Sequence, residues 1–419
     1  MGEDLRQVYD EVAKCNRCGF CQAHCPIFDI TKDERNVARG HNAHVRSLIE
    51  GELEISEDFK DPLFECLLCK ACVANCFPAV RTERNVVAGR AEYVRRVGQP
   101  RTMRFLFHRL LPDPVRMGRF VRLAAVGKNT GITRLARALG ILKWFGKDFD
   151  RVEGLVERLP TRFFRERART LRLDGGAGRT VAYFVGCGFN FVLPDVAEAT
   201  VEVLVKGGAR VRVVDNVCCG LPAYGYGDLE AARALARKNM DALEQVDAEV
   251  ILTDCGSCSA FLKEYPELFE ESPEERDRAS RLASRVKGFS EYLAEDGCPS
   301  PRGHGFRGKV TYHDPCHLSR YQGVVGQPRQ VLRGLPGVEY VEMPEADRCC
   351  GAAGSYNVLH YEQSMVVLDR KMENLRKTEA GVLATECPGC LIQLRYGVRR
   401  ASLPVRVAHV SELVREACS

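Results

Sequence analysis

The chain has 419 residues, 45% of them hydrophobic and 28% charged, and its formal net charge is +5. This gives room for two to four domains with real cores, and the composition excludes fibrous, collagen-like and disordered classes. The opening MGEDLRQVYDEVAKC lacks the basic head and apolar run of a signal peptide, and no stretch approaches about 18 uninterrupted apolar residues. The expected location is therefore the cytoplasm, where 20 cysteines speak for metal binding or redox chemistry rather than for disulfides.

In chain order, the first element is CNRCGFCQAHCP, a C-x2-C-x2-C-x3-C-P run at Cys15, Cys18, Cys21 and Cys25, and the same spacing returns at Cys66, Cys69, Cys72 and Cys76. This is the bacterial ferredoxin spacing: three thiolates reach three corners of one iron–sulfide cube, and the fourth ligates the cube of the other run. It assigns Cys15, Cys18, Cys21 and Cys76 to one [4Fe-4S] cluster and Cys66, Cys69, Cys72 and Cys25 to a second. Zinc sites pair two C-x2-C units across a longer loop and have no use for the third cysteine. The second run departs from the pattern at Phe77, which separates Cys76 from Pro78 and leaves an extra backbone N–H near that cluster. Between the runs, VARGHNAHVRSLIEGELEI puts Val45, Leu48 and Ile49 on one helical face, and VVAGRAEYVRRV further on also reads as helix. Residues 1–100 are expected to form an all-helical two-cluster domain. It resembles the helical ferredoxin domain of succinate dehydrogenase iron–sulfur subunits and of the small heterodisulfide reductase subunit.

Residues 101–178 read as a basic helical linker. Between 101 and 170 there are 17 Lys and Arg against 6 Asp and Glu, so this segment carries +11 and the rest of the chain −6. Two readings stay open. One is a solvated basic face; the other is a docking surface for an acidic partner or anionic lipid, where Arg104, Phe105, Phe107, Leu110, Leu111, Trp144 and Phe145 place apolar bulk among the charges. No nucleic-acid-binding motif is recognisable, so no nucleic acid is expected as a partner.

From residue 179 the chain repeats itself. Residues 179–300 carry Cys187, Cys218, Cys219, Cys255 and Cys258; residues 301–419 carry Cys316, Cys349, Cys350, Cys387 and Cys390. The intervals are 30 and 35 residues in the first copy and 32 and 36 in the second, and RVKGFSEYL and RVAHVSELV close the two copies alike. In the first copy TVAYFVG, RVRVV and EVILT read as strands. A helix opens at Asp195 with Val196, Val203 and Leu204 on one face, and another opens at Asp228. The second copy repeats this with KVTYH, VEYVEM and VLATE, and with a helix marked by Met365, Leu368, Met372 and Leu375. Strand–helix–strand–helix–strand implies a parallel sheet, so every cysteine group falls just past the C-terminal end of a strand, where open α/β sheets bind ligands. Glycine after each adjacent cysteine pair permits positive φ and close approach of backbone. Cys298 and Cys418 read as spare buried thiols. His313, Asp314 and His317 flank Cys316 and are placed to tune that cluster through hydrogen bonds to sulfur.

The patterns C-x30-CC-x35-C-x2-C and C-x32-CC-x36-C-x2-C, with glycine after each pair, resemble the tandem CCG domain of heterodisulfide reductase catalytic subunits and of the iron–sulfur subunits of glycolate oxidase, glycerol 3-phosphate dehydrogenase and lactate-utilisation proteins. The stretches YHDPCHLSRYQGVVGQPRQVL, RCCGAAGSYN and CPGCLIQL look most like the glycolate oxidase iron–sulfur subunit. The resemblance implies two pseudo-symmetric α/β repeats, each holding one iron–sulfur cluster, of a non-cubane [4Fe-4S] kind in which a bridging thiolate uses the fifth cysteine. It also implies an electron-transfer subunit that serves an FAD-containing 2-hydroxy-acid dehydrogenase subunit. Onward partners would be an electron-transfer flavoprotein or a quinone-reducing partner at the inner face of the membrane. The heterodisulfide reductase side of the resemblance implies instead a catalytic subunit that reduces a disulfide at these clusters. The chain itself shows no G-x-G-x-x-G after a strand to hold a flavin.

Overall fold

The structure is a computed structural model that describes residues 3–139, 149–301, 305–354 and 356–419. In the N-terminal hundred residues the described chain is helical, built on helices Ala38–Glu50 and Thr82–Arg96. Val45 and Leu48 pack with Leu5, Val8, Val12 and Ala88, with Ile49 at the edge of the cluster. Gly89 lets the two helices close up, since a Cβ there would lie 2.9 Å from Leu63 Cδ2 and 3.2 Å from Val45 Cγ2. Asn42 is buried between them, donating to Thr82 Oγ1 (3.1 Å) and accepting from Asn85 (2.9 Å).

Each repeat is a four-stranded, all-parallel sheet among the described residues. The first contains β1 (Thr180–Tyr183), β2 (Arg210–Val213), β3 (Val250–Thr253) and β4 (Val286–Gly288) in the order β2-β1-β3-β4. The second contains β5 (Gly308–Tyr312), β6 (Val338–Tyr340), β7 (Val382–Thr385) and β8 (Arg406–His409) in the order β6-β5-β7-β8. The sequence patterning points to three strands per copy; the fourth comes from the shared closing stretch, whose three or four residues are too short to show a period. The central strands β3 and β7 are buried along their whole length, as helices on both faces require. The helix expected from Asp195 runs over Pro194–Lys206, with proline at its first turn and Val196, Val203 and Leu204 buried. Asp228 caps the next helix by accepting from Ala231 N.

One hydrophobic core runs through both repeats. They meet by close backbone approach: a Cβ on Gly188 would stand 2.6 Å from Pro388 Cβ, and one on Gly256 2.6 Å from Leu318 Cγ. The Gly256 N–H donates to the Glu386 carbonyl at 2.8 Å.

The basic segment is sewn onto the first repeat. Phe164 stacks edge-on against Tyr183 and Phe163 against Phe191. Phe107, Leu110 and Leu111 are buried, so they belong to the core and not to a docking surface; Arg104 and Phe105 are exposed, and Trp144 and Phe145 lie outside the described residues. Besides Phe105, the described part of this segment exposes Val115, Phe120, Leu123 and Val126 on helix Pro114–Asn129, and Ile132 and Leu139 beyond it.

Candidate metal centre

Each ferredoxin-like run folds its three close cysteines by the same backbone device. Arg17 and Gly19 have φ of 55° and 86°, and Leu68 and Lys70, at the matching positions, have 52° and 56°. Left-handed residues on either side of the middle cysteine turn successive thiols to one point. Three of the four are not glycine, a strain of about 1–2 kcal/mol each that marks a site. Cys15, Cys18, Cys21, Cys72 and Cys76 line one hollow. Cys25, Cys66, Cys69 and Cys72 line the other. The first hollow is at the surface, with Cys18 exposed and flanked by Phe20 (67% exposed) and Phe77 (96%). The second is interior: burial pushes the Cys25 thiol up to about 11 and Cys69 up to about 12. Soft sulfur donors that resist ionising unless a cation joins them fit an iron–sulfur cluster.

The ten cysteines of the repeats form one line of thiols, each close enough to the next to perturb its ionisation. It runs from Cys187 through Cys218, Cys219, Cys258 and Cys255, crosses to Cys387, and continues through Cys390, Cys350 and Cys349 to Cys316. Within the line, thiol neighbours push Cys187 well up, whereas Cys218 and Cys258 hold Cys219 down at about 5. Gly220 and Gly351, which follow the adjacent pairs, have φ of 100° and 87°, and a Cβ on Gly351 would stand 2.8 Å from the Ser364 carbonyl. All ten thiols open onto a cavity of about 540 Å³. Beyond Cys316 and Cys349 the line reaches the interior ferredoxin hollow, where Cys69, Cys349, Ile27 and Tyr356 share a packed cluster.

Family models agree with this layout. A cysteine-rich domain, CCG, matches residues 181–263 and 310–395; a 4Fe-4S dicluster domain matches 11–79; and the linker region of the glycolate oxidase iron–sulfur subunit matches 98–156. The chain is 32% identical to the probable glycolate oxidase iron–sulfur subunit of Bacillus subtilis (strain 168), over 97% of this chain and 94% of that protein. It belongs to the glycolate oxidase iron–sulfur subunit family. It is also 34% identical to lactate utilization protein A of Geobacillus kaustophilus, over 56% of this chain and 98% of that one. As expected for the family's domain models, the protein carries iron–sulfur clusters.

The groups around the sulfurs correct part of the sequence reading. Asp314 does not face sulfur: its carboxylate accepts two hydrogen bonds from Arg329, both at 2.8 Å, which clamps the loop that carries His313 and Cys316. His317 lies with Nδ1 3.3 Å from Ser257 Oγ and 3.7 Å from Cys316 Sγ. Cys418 is buried, but Cys298 is exposed and is no buried spare.

Three contacts escaped the sequence reading. Ser257 Oγ lies 3.4 Å from Cys387 Sγ, at the crossing between repeats. Lys70 sits 3.6 Å over the Tyr321 ring and pairs with Glu83 and Glu264, tying the ferredoxin-like domain to both repeats. Lys371 is fully buried beside the Cys349–Cys350 pair. Its place was readable, because it falls three residues after Leu368 and next to Met372 on the buried face of its helix. Among the described residues no helix is long and apolar enough to cross a membrane.

Proposed function

We propose that this chain is the electron-transferring subunit of a flavin-dependent 2-hydroxy-acid dehydrogenase of the glycolate or lactate type. Bound iron–sulfur clusters supply one-electron storage and transfer. In this reading Cys15, Cys18, Cys21 and Cys76 hold one cubane and Cys25, Cys66, Cys69 and Cys72 a second. Each group of five repeat cysteines holds a further cluster, of non-cubane form. The observation that carries the reading is the continuity of the thiols, from the exposed Cys18, through the interior hollow and Cys69, into the ten-thiol line. What the chain's own residues do is hold, bury and space the redox groups; the left-handed loops and the Arg329–Asp314 clamp fix the sulfurs before any metal arrives.

The partners proposed are an FAD-containing dehydrogenase subunit, the relation that the relatives' names imply, and an electron-transfer flavoprotein or quinone-reducing acceptor beyond it. Mixing the iron-loaded chain with glycolate or lactate and following its visible absorption tests this. Bleaching is expected only when the flavoprotein subunit is added; fast bleaching by the isolated chain would overturn the division of labour.

One observation favours a second reading, that of a disulfide reductase. A cavity of about 540 Å³ is within the range of small-molecule sites, and the ten thiols, His313, His317 and Tyr321 all line it. Turnover of small disulfides by the isolated chain with reduced viologen would establish that reading in place of the first.

A further inference from the structure

The loops after the first strand of each repeat align residue for residue, Tyr183-Phe184-Val185-Gly186-Cys187 against Tyr312-His313-Asp314-Pro315-Cys316. Tyr183 and Tyr312 are both fully buried, and so is Phe184; His313 is 1% exposed. At the same place in the scaffold, the first repeat therefore has a hydrocarbon ring and the second an imidazole. A ring nitrogen of His313 and the Sγ atoms of Cys350 and Cys390 all lie within 4.8 Å of one another.

The ring of His313 is not satisfied at both nitrogens. Nδ1 is buried without a hydrogen bond, in a class of atoms that native structures rarely leave unpaired. The Ala346 backbone lies in reach of the ring, the kind of contact that orients a ligating histidine and fixes its tautomer. Arg329 holds the adjacent Asp314, so the loop cannot turn the ring away without breaking a bidentate pair.

We propose that His313 is a nitrogen ligand to the iron–sulfur centre of the second repeat, beside Cys350 and Cys390, and that the two repeats consequently hold inequivalent centres. This rests on the reading above that the second repeat's thiols hold iron. All five cysteines are present in the second repeat, so the imidazole would be an added nitrogen donor that the first repeat, with Phe184 at that place, cannot offer.

The test is pulsed EPR on the full, iron-loaded chain, prepared with natural-abundance and with 15N-histidine, together with an iron count. The expected result is a strong nitrogen coupling in one repeat-centre signal, altered by 15N-histidine. It should be absent in His313→Phe, which installs the first repeat's residue, and should persist in Cys218→Ser. The labelling experiment needs no variant, so a misfolded His313→Phe chain does not stall it. His313→Asn separates ligation from hydrogen bonding: if the asparagine chain keeps the signal and potential of the native centre, ligation is overturned. A full iron count without the strong nitrogen coupling also overturns it. An iron count short by the second repeat's share would instead overturn the reading on which it rests.

Discussion

The backs of the two cysteine pairs are furnished differently. Behind Cys218 and Cys219 stand neutral groups: Asn239 donates to the Cys218 carbonyl at 2.9 Å and to Tyr265 Oη at 3.0 Å, and Tyr265 donates to the Cys219 carbonyl at 2.6 Å. Behind Cys349 and Cys350 stands Lys371, whose ammonium donates to the Glu345 and Ala346 carbonyls; no carboxylate among the described residues pairs with it. The second repeat also has His313 and His317 where the first has Phe184 and Gly188. Sheet order and thiol spacing are shared. The difference therefore teaches that duplication supplied the scaffold, and that polar side chains gathered in the copy whose thiols adjoin Cys69.

The harshest way to break the comparison is to remove thiols. Cys218→Ser and Cys219→Ser should each strip the first repeat of its centre and leave the second's signal, and Cys349→Ser and Cys350→Ser should do the reverse. Iron and acid-labile sulfide counts with EPR read this directly. If one member of a pair proves dispensable, that repeat holds an ordinary cubane with an idle fifth cysteine, and the symmetry between the copies fails at the metal.

A gentler change sharpens it. Lys371→Met keeps length and apolar bulk but removes the buried cation that faces Cys349 and Cys350. The second repeat's centre should then hold its extra electron less well. Its potential should fall by several tens of millivolts, where about 59 mV is a tenfold change for a one-electron couple. Asn239→Leu in the first repeat should shift its own centre less, because no charge is lost. Equal shifts in a redox titration of the two variants would mean that the lysine acts through packing alone.

The thiols, the duplication and the strand-end placement of the cysteines were legible in the sequence, because spacing and period are local signals. What was not legible depends on surfaces that meet across long stretches of chain. Nothing in TECPGC shows that Cys387 meets Cys255, since that contact depends on Gly188 and Gly256 admitting Pro388 and Leu318 from the other repeat. Apolar residues among many arginines looked like a surface, but Phe107, Leu110 and Leu111 follow a helical face that the first repeat covers. Composition gives the charge of a segment, and only packing decides which of its side chains point outward.

The smallest expected effect concerns His409, the tie between the repeats. Its Nδ1 accepts from the Ser411 N–H (3.0 Å), and Nε2 lies 3.0 Å from the Asp254 carbonyl, next to Cys255, with Phe189 and Phe289 against the ring. This arrangement needs the neutral ring, since a proton on Nδ1 would meet the Ser411 donor. Burial pushes the imidazole down to about 4 from its ordinary 6.5. The folded pKa is the lower one, so the unfolded chain takes up the proton first. The contribution is complete above about 6.5 and is lost as pH falls toward 4, by on the order of 2 kcal/mol at pH 5. His409→Gln cannot titrate, so the gap between native and variant chains isolates this term from every other ionising group. At pH 7 the variant should lose its visible absorption at a lower temperature, as expected for about 1–3 kcal/mol of disrupted buried hydrogen bonding. At pH 5 the two chains should converge. A gap that stays constant with pH would show that His409 ties the repeats by packing and not through its neutral imidazole.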